Sequence, residues 1–137
     1  MSDLNVQNLN SKTGNSAISI ADNGTVSLST AASGSTQTAN ATGSTTLDFS
    51  TYQNFVLTLT GNVTLANPTT ESVGQSGFIV IIQDGTGSRT VSLGTDYETA
   101  SAGGLSLSTT ASTTDIVPYV VAASGRILLG APQLAFA

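Results

Sequence analysis

The sequence contains no cysteine and no histidine. Without cysteine there are no disulfides and no thiol nucleophiles, and without histidine the commonest general base and a common zinc ligand are missing. Basic residues are also scarce: Lys12, Arg89 and Arg126 stand against eight acidic residues, for a net charge of −5. This charge repels phosphate backbones and anionic lipids, so neither nucleic acid nor a membrane surface is an expected partner.

Charged residues make up only 8% of the chain, compared with about 25% in typical soluble domains. Serine and threonine supply the polar faces instead. Burying a hydroxyl group costs less than burying a charge, so this composition suits extensive contacts with other proteins. The first residues carry no signal-peptide pattern, and no apolar run approaches the roughly 20 residues that span a bilayer, so we expect a soluble product.

Strong helix formers are rare, and no segment has helical periodicity, so the sequence predicts an all-β fold. Residues 17–20 and 25–28 alternate between apolar and polar positions on either side of Asn23-Gly24. Asn-Gly in this context predicts a β-hairpin with a type I′ turn.

Residues 29–46 contain no large apolar side chain. This composition predicts a linker and a domain boundary near Gly43. Residues 1–43 would then form an N-terminal arm with a hairpin and a Ser/Thr/Ala linker, and residues 44–137 a β-sandwich domain. The alternative is a long loop within one domain.

The remaining sequence predicts short strands separated by turns rich in glycine, asparagine and aspartate. An antiparallel, jelly-roll-like β-sandwich is the expected architecture. Gly61-Asn62 predicts a turn between two strands, and residues 90–93 are expected to pair antiparallel. Residues 78–83 form a continuous apolar run, which is typical of a central strand covered on both faces. The predicted strands comprise residues 55–60, 63–65, 78–83, 90–93, 105–107, 115–117, 119–121 and 126–129.

Few residues offer chemistry. Asp84, Asp96 and Glu98 could gather around a calcium ion, although their spacing matches no dedicated loop, and ordinary turn acids are the alternative. Asp115 is the one acid in an apolar context, and we expect it to bind a turn amide or to pair with Arg89 or Arg126. Tyr52 and Tyr97 could stack on sugars, but packing against the sheet is the expected role of both. The sequence predicts no catalytic, cofactor-binding or metal-binding residue, and no cofactor.

Two stretches resemble bacteriophage proteins. Asn8 to Ile20, followed by Gly24-Thr25-Val26, resembles short β modules of phage tail-fibre and head-fibre proteins. The stretch from Leu47 to Leu129 resembles a β domain found in virion proteins of marine phages. Its motifs are an aromatic strand from Phe55 to Thr60, the turn from Gly61 to Pro68, Gly74-Gln75-Ser76-Gly77, the loop from Gln83 to Arg89, and Asp115-Ile116-Val117 with Gly125-Arg126-Ile127-Leu128.

The resemblance implies a non-enzymatic virion protein, commonly a homotrimer, made in the host cytoplasm. Our first hypothesis is a capsid decoration or cement protein on the capsid surface, which binds and stabilises the major capsid protein lattice. Leu4, Val6, Ile18 and Ile20 are the predicted arm contacts. The alternative is a tail-fibre or head-fibre module that presents residues 94–104 to a host-surface glycan. A third hypothesis is a carbohydrate-active enzyme, which needs two acids facing each other in a groove.

Overall fold

The computed structural model describes residues 8–10, 16–28 and 31–137, with side chains at residue 18 and at residues 21–28 and 31–137. The chain divides into two compact units, Met1–Ser33 and Gly34–Ala137. The all-β fold predicted from the sequence is confirmed. Among the described residues, no helix has the length and apolarity needed to cross a bilayer.

The described part of the first unit is an antiparallel sheet of three strands: β1 (Asn8–Asn10), β2 (Ser16–Ile20) and β3 (Val26–Leu28). The predicted hairpin is therefore confirmed. Its turn differs from type I′, because Gly24 alone has a positive φ, of 81°. The Gly24 amide donates to the Ala21 carbonyl over 2.8 Å, as in longer hairpin loops that end on a left-handed residue.

The predicted arm contacts fall in this unit. Leu4 and Val6 lie outside the described residues. Ile18 is half-buried in the middle of β2, and Ile20 is the last residue of that strand. Their role in binding a partner stays a prediction.

The second unit holds one curled open sheet of eight strands. Their order is β4-β5-β6-β9-β10-β8, with β7 beside β5 and β11 beside β9. The long strands β5 and β9 therefore each pair with two shorter strands along one edge. The strands are β4 (Thr36–Thr46), β5 (Asn54–Ala66), β6 (Ser76–Gln83), β7 (Val91–Leu93), β8 (Tyr97–Thr99), β9 (Thr114–Ala123), β10 (Arg126–Leu129) and β11 (Gln133–Phe136), and a 3₁₀ segment, Ala100–Ala102, follows β8.

The purely antiparallel sandwich expected from the sequence is wrong. β5 pairs in parallel with β4, β6 and β7, and β8 pairs in parallel with β10. Within the second unit, the antiparallel pairs are the three that β9 makes, with β6, β10 and β11. The difference arises because β6 and β7 lie one after the other along the same edge of β5, both parallel to it. In the expected arrangement, each strand would have turned back antiparallel to the strand before it.

The linker predicted for residues 29–46 is also wrong, because residues 36–46 form β4 and pair along β5. The boundary between the units lies after Ser33, so the predicted division near Gly43 falls inside a strand. Gly61-Asn62 lies within β5 and not in a turn. Residues 105–107, predicted as a strand, have no regular structure.

The ribbon of β4 and β5 must bend. Because β4 and β5 are parallel, the chain must return from the end of β4 to a point beside its start before β5 begins. A straight strand as long as β4 covers about 35 Å. Residues 47–53, which make the connection, reach less than about 30 Å even when fully extended. We place the bend at the irregularity of register between Ala41 and Gly43, where Gly43 adopts a positive φ of 62°.

The core of the second unit lies inside this curl. Inward positions alternate along β5, β6 and β9 and are almost completely inaccessible. Phe49, Phe55 and Tyr119 form an aromatic cluster with ring centroids 4.8 to 6.0 Å apart. The buried hydrophobic residues are Ala41, Leu47, Phe49, Phe55, Leu57, Leu59, Val63, Leu65, Ile79, Ile81, Tyr97, Val117, Tyr119, Val121, Ile127 and Leu129.

Candidate functional site

The acids singled out in the sequence do not gather into one site. Asp84 pairs with Arg89 at 2.8 Å, and Glu98 pairs with Arg126 at 2.8 Å. Asp96 lies with its Oδ1 3.5 Å from the hydroxyl of Thr95. Within the ranges that the structure describes, no group of three acidic residues is close enough to hold a metal ion.

Asp84 is an ordinary turn acid. Its Oδ1 accepts hydrogen bonds from the amides of Thr86 and Gly87, at 3.0 and 2.9 Å, and its other oxygen binds the Arg89 guanidinium. The hydrogen bond from Arg89, followed by the Gly87 amide, lowers the pKa of Asp84. This carboxylate therefore shapes the loop between β6 and β7.

Asp115 is also structural. It is buried, with 2% of its surface exposed. Its two oxygens accept hydrogen bonds from the amides of Ser108, at 2.6 Å, and Ala135, at 2.8 Å. The prediction that Asp115 binds a backbone amide is confirmed.

A concave feature lies beside β8, largely within the segment 94–104 that was assigned to glycan presentation. It is a groove of about 460 Å³, which we call the β8 groove, and its size falls in the range of small-molecule sites. Its lining combines apolar side chains, a hydroxyl, one carboxylate and two glycines. The lining residues are Leu93, Gly94, Tyr97, Glu98, Thr99, Ala102 and Gly104.

Backbone geometry sets the far wall of the β8 groove. Ser101 and Ala102 have φ values of 57° and 52°, and Gly104 has 75°. Non-glycine residues seldom adopt this region, and such strain is concentrated at functional sites. The Gly104 amide donates to the Thr99 hydroxyl at 3.0 Å, which closes the segment.

Asn67 positions the near wall, and the sequence analysis did not identify it. Its amide nitrogen donates to the Thr95 hydroxyl at 2.7 Å, and its Oδ1 accepts from the Asp96 amide at 3.1 Å. The Gly94 amide donates to the Leu65 carbonyl at 2.7 Å. The only local signal was an Asn-Pro pair at the end of a strand, which marks a turn but not its partner 28 residues away.

Glu98 is the only charged residue in the β8 groove. Its oxygens accept from the guanidinium of Arg126 at 2.8 and 3.1 Å, and both side chains are about half exposed. The hydrogen bond from Arg126 lowers the pKa of Glu98. A carboxylate and a guanidinium held side by side supply an acceptor and a fork of donors, which can bind neighbouring hydroxyl groups.

A second, shallower groove of about 330 Å³ contains the two carboxylates of Glu71 and Asp96. Glu71 accepts a hydrogen bond from the Gly125 amide at 2.6 Å, where it closes the turn between β9 and β10. The carboxylate of Asp96 lies beside Gly125 as well. Each carboxylate has a donor from the chain, and the contact of Glu71 with the Gly125 amide supports the turn between β9 and β10.

Both aromatic residues that were considered for sugar stacking pack with the hydrophobic core. Tyr97 is 5% exposed and belongs to the core, and Tyr52 is half-buried against that core. The expected packing role of both is confirmed. The hydroxyl of Tyr97 is buried without a hydrogen-bond partner.

The fold and its grooves define a class: an all-β module built on one curled sheet, with charged side chains that fix loops. The comparisons give the family. Residues 25–126 match the family model described as "Putative phage tail fibre C-terminal domain", and the chain belongs to this family. No curated protein and no solved structure gives a significant match.

The family match bears on the hypotheses drawn from the sequence. The resemblance to phage virion proteins is confirmed, and the family is of a structural rather than an enzymatic kind. A tail-fibre domain fits the alternative hypothesis better than the capsid decoration protein that we placed first.

Proposed function

We propose that this chain is the adhesive module of a phage tail fibre, a non-enzymatic homotrimer that binds a glycan on the host surface. The β8 groove carries the proposal. It lies in the segment from Gly94 to Gly104 that the sequence analysis had assigned to host contact, and it is concave, partly polar and built on strained backbone.

The chemistry of the groove favours a sugar. Saccharides present adjacent hydroxyl groups on an otherwise weakly apolar ring. Glu98 and Arg126 match the hydroxyl groups, and Leu93 and Ala102 supply an apolar surface. A groove of this volume accommodates one or two sugar units, and several copies in one fibre would raise a weak single-site affinity through multivalency.

The capsid decoration hypothesis, with the major capsid protein as partner, is not supported by a comparable observation. The tail-fibre family match supports a position in the tail rather than on the capsid surface. We therefore place the protein in the virion as a fibre component.

The test is binding of the full chain to a printed panel of bacterial surface polysaccharides. We expect at least one polysaccharide to be retained, and Glu98→Gln to weaken that binding by about tenfold or more, because a charged hydrogen bond is worth about 1.5–3 kcal/mol. The matched control is Asp84→Asn, which removes the other arginine-paired carboxylate, away from the β8 groove. No retained polysaccharide, or equal binding by Glu98→Gln and the unmodified chain, contradicts the proposal.

A further inference from the structure

The central sheet of the second unit is apolar on its outward face as well as on its inward face. In β6 the inward residues belong to the core, whereas Phe78, Val80 and Ile82 point outward. Their cross-strand neighbours are apolar too: Phe78 pairs with Pro118, and Val80 pairs with both Ile116 and Val56. The outer face, as we call it, consists of Val56, Phe78, Val80, Ile82, Ile116, Pro118, Val120 and Leu128.

This face is open to solvent in a single chain. Phe78 is 51% exposed and Val120 is 40% exposed, and the other members are half-buried. A sheet with one face in water normally carries polar residues there. The apolar run of β6 predicts cover on both faces, and the second unit supplies the cover on one face only.

The dimensions fit the centre of a protein interface. The outer face spans four strands and about five residues along β6, which is on the order of 15 Å in each direction. Its surroundings are polar and, apart from the Glu98–Arg126 pair at the β8 edge, uncharged, as in the rim of an interface. The uncharged rim residues that pair in register with a member of the outer face are Thr38, Thr58, Ser76, Thr114 and Gln133.

Charge favours a second copy of the same chain as the occupant. Each chain has a net charge of −5, so two copies repel each other. They can approach most easily through a surface that carries no charge, or whose charges are paired within the same chain. The outer face has no charged member. At its β8 edge, Glu98 stands opposite Leu128 in register and is neutralised by Arg126.

Shape also supports self-association. Phe78 is the most exposed side chain of the outer face. A hollow of about 300 Å³ lies on the same sheet, lined in part by Pro118, Val120 and Leu128. One face thus carries both a protruding aromatic side chain and a recess, and aromatic side chains seated in recesses dominate binding energy at interfaces.

We infer that the outer face of β5, β6, β9 and β10 is the surface through which copies of this chain associate. The inference specifies the contact surface of the homotrimer proposed above, and it does not depend on glycan binding. Because Phe78 and Val120 are exposed in one chain, changing them leaves the core of that chain intact.

The test compares the mass of the full chain with that of Val120→Lys and Phe78→Ser by sedimentation velocity, from about 1 to 100 µM. We expect the unmodified chain to be a trimer and both variants to associate at least about 100-fold more weakly. The matched control is Val73→Lys, since Val73 is 69% exposed and precedes β6 outside the outer face. Its mass distribution should equal that of the unmodified chain.

Thermal unfolding followed by circular dichroism shows that each variant is folded. A monomeric unmodified chain overturns the inference, and protection of the outer face from hydrogen exchange in that monomer assigns the cover to the chain's own N-terminal unit. Variants that associate as strongly as the unmodified chain also overturn it. A dimer that Val120→Lys dissociates supports the surface and overturns the trimer. Loss of polysaccharide binding with association intact contradicts only the adhesive function.

Discussion

At the scale of single residues, the few charged and amide side chains act mainly as backbone supports. Gln83 is 3% exposed; its amide nitrogen donates to the carbonyls of Arg89 and Ser108, and its oxygen accepts from the Arg89 amide, all at 2.9 Å. Asp115 accepts from the amide of the same Ser108 and from the amide of Ala135. Loops that lack regular hydrogen bonding are thus held by buried polar side chains, which satisfies the requirement that buried polar groups be paired.

Tyr119 gives a prediction at this scale. Its hydroxyl donates to the carbonyl of Gln53 at 2.6 Å, so Tyr119→Phe removes this bond and leaves the carbonyl without that donor. We expect a loss of about 1 kcal/mol in the free energy of unfolding at pH 7, measured by urea denaturation. Tyr97→Phe is the comparison, because its hydroxyl has no partner and its removal should cost nothing. Equal losses in the two variants would refute this account.

The same two tyrosines predict the pH dependence of stability. Burial raises the pKa of Tyr119 to about 12, above the ordinary value of 10.0. Burial, and then the charges of Asp96 and Glu71, also raise the pKa of Tyr97. The folded chain therefore keeps protons that the unfolded chain releases above about pH 10, so the contribution of these tyrosines to stability should be constant below that pH and fall as pH rises towards 12. Between pH 8 and 12, the urea midpoint of either phenylalanine variant should fall less steeply than that of the unmodified chain. An equally steep decline in the unmodified chain and both variants would contradict the role of these tyrosines.

At the scale of secondary-structure elements, the bend in β4 and β5 shapes the second unit. It allows a short connection to join two long parallel strands and encloses the core within one curled sheet. Gly43 has a positive φ at this bend, and the space around it is open. The constraint at Gly43 is therefore one of backbone conformation and not of packing.

Gly43→Ala tests the constraint. A β-carbon at positive φ costs about 1–2 kcal/mol, partly offset by the lower entropy of the unfolded chain. We expect a net loss of about 1 kcal/mol in the free energy of unfolding, measured in urea. The matched control is Gly85→Ala, where the space is also open and φ is not positive; it should be neutral or slightly stabilising. Equal effects of the two substitutions would show that the bend does not depend on glycine.

Sequence patterns predicted elements with local signals and missed those defined by distant partners. The hairpin around Asn23-Gly24 and the run from Phe78 to Gln83 were identifiable because turn chemistry and apolar runs are local. β4 was missed because the apolar side chains that it packs against the core are the small ones of Ala39 and Ala41. Two alanines do not give a recognisable apolar pattern. Parallel pairing with β5 has no local signature, since it depends on register between separated segments.

The candidate site shows the same division. The segment from residue 94 to 104 was identified as a presented loop, but β8 within it was not. Its wall depends on Asn67, and its charged edge depends on Glu98 meeting Arg126, 28 residues later. Of the two acids proposed to join Glu98 at a cation, Asp84 is bound within its own loop and Asp96 lies beside Gly125.

At the scale of the whole molecule, the chain divides into two units, and we expect the second unit to fold independently of the N-terminal one. Every residue of the described hydrophobic core lies between Ala41 and Leu129, within the second unit. The second unit should therefore fold without the first. The arm contacts proposed for Leu4, Val6, Ile18 and Ile20 are then expected to affect partner binding and not the stability of the sheet.

Two truncations distinguish the structural boundary from the one that composition predicted. Removal of residues 1–33 should leave a chain that unfolds cooperatively within a few degrees of the full-length melting temperature, because β4 and the core are intact. Removal of residues 1–43 takes away most of β4, exposes an edge of β5 and deletes the buried Ala41. We expect that chain to melt at least about 10 °C lower or to lose its cooperative transition, since each kcal/mol shifts the midpoint of a domain of this size by about 4–8 °C. Equal melting temperatures for the two truncated chains would place β4 outside the folding unit and restore the boundary near Gly43.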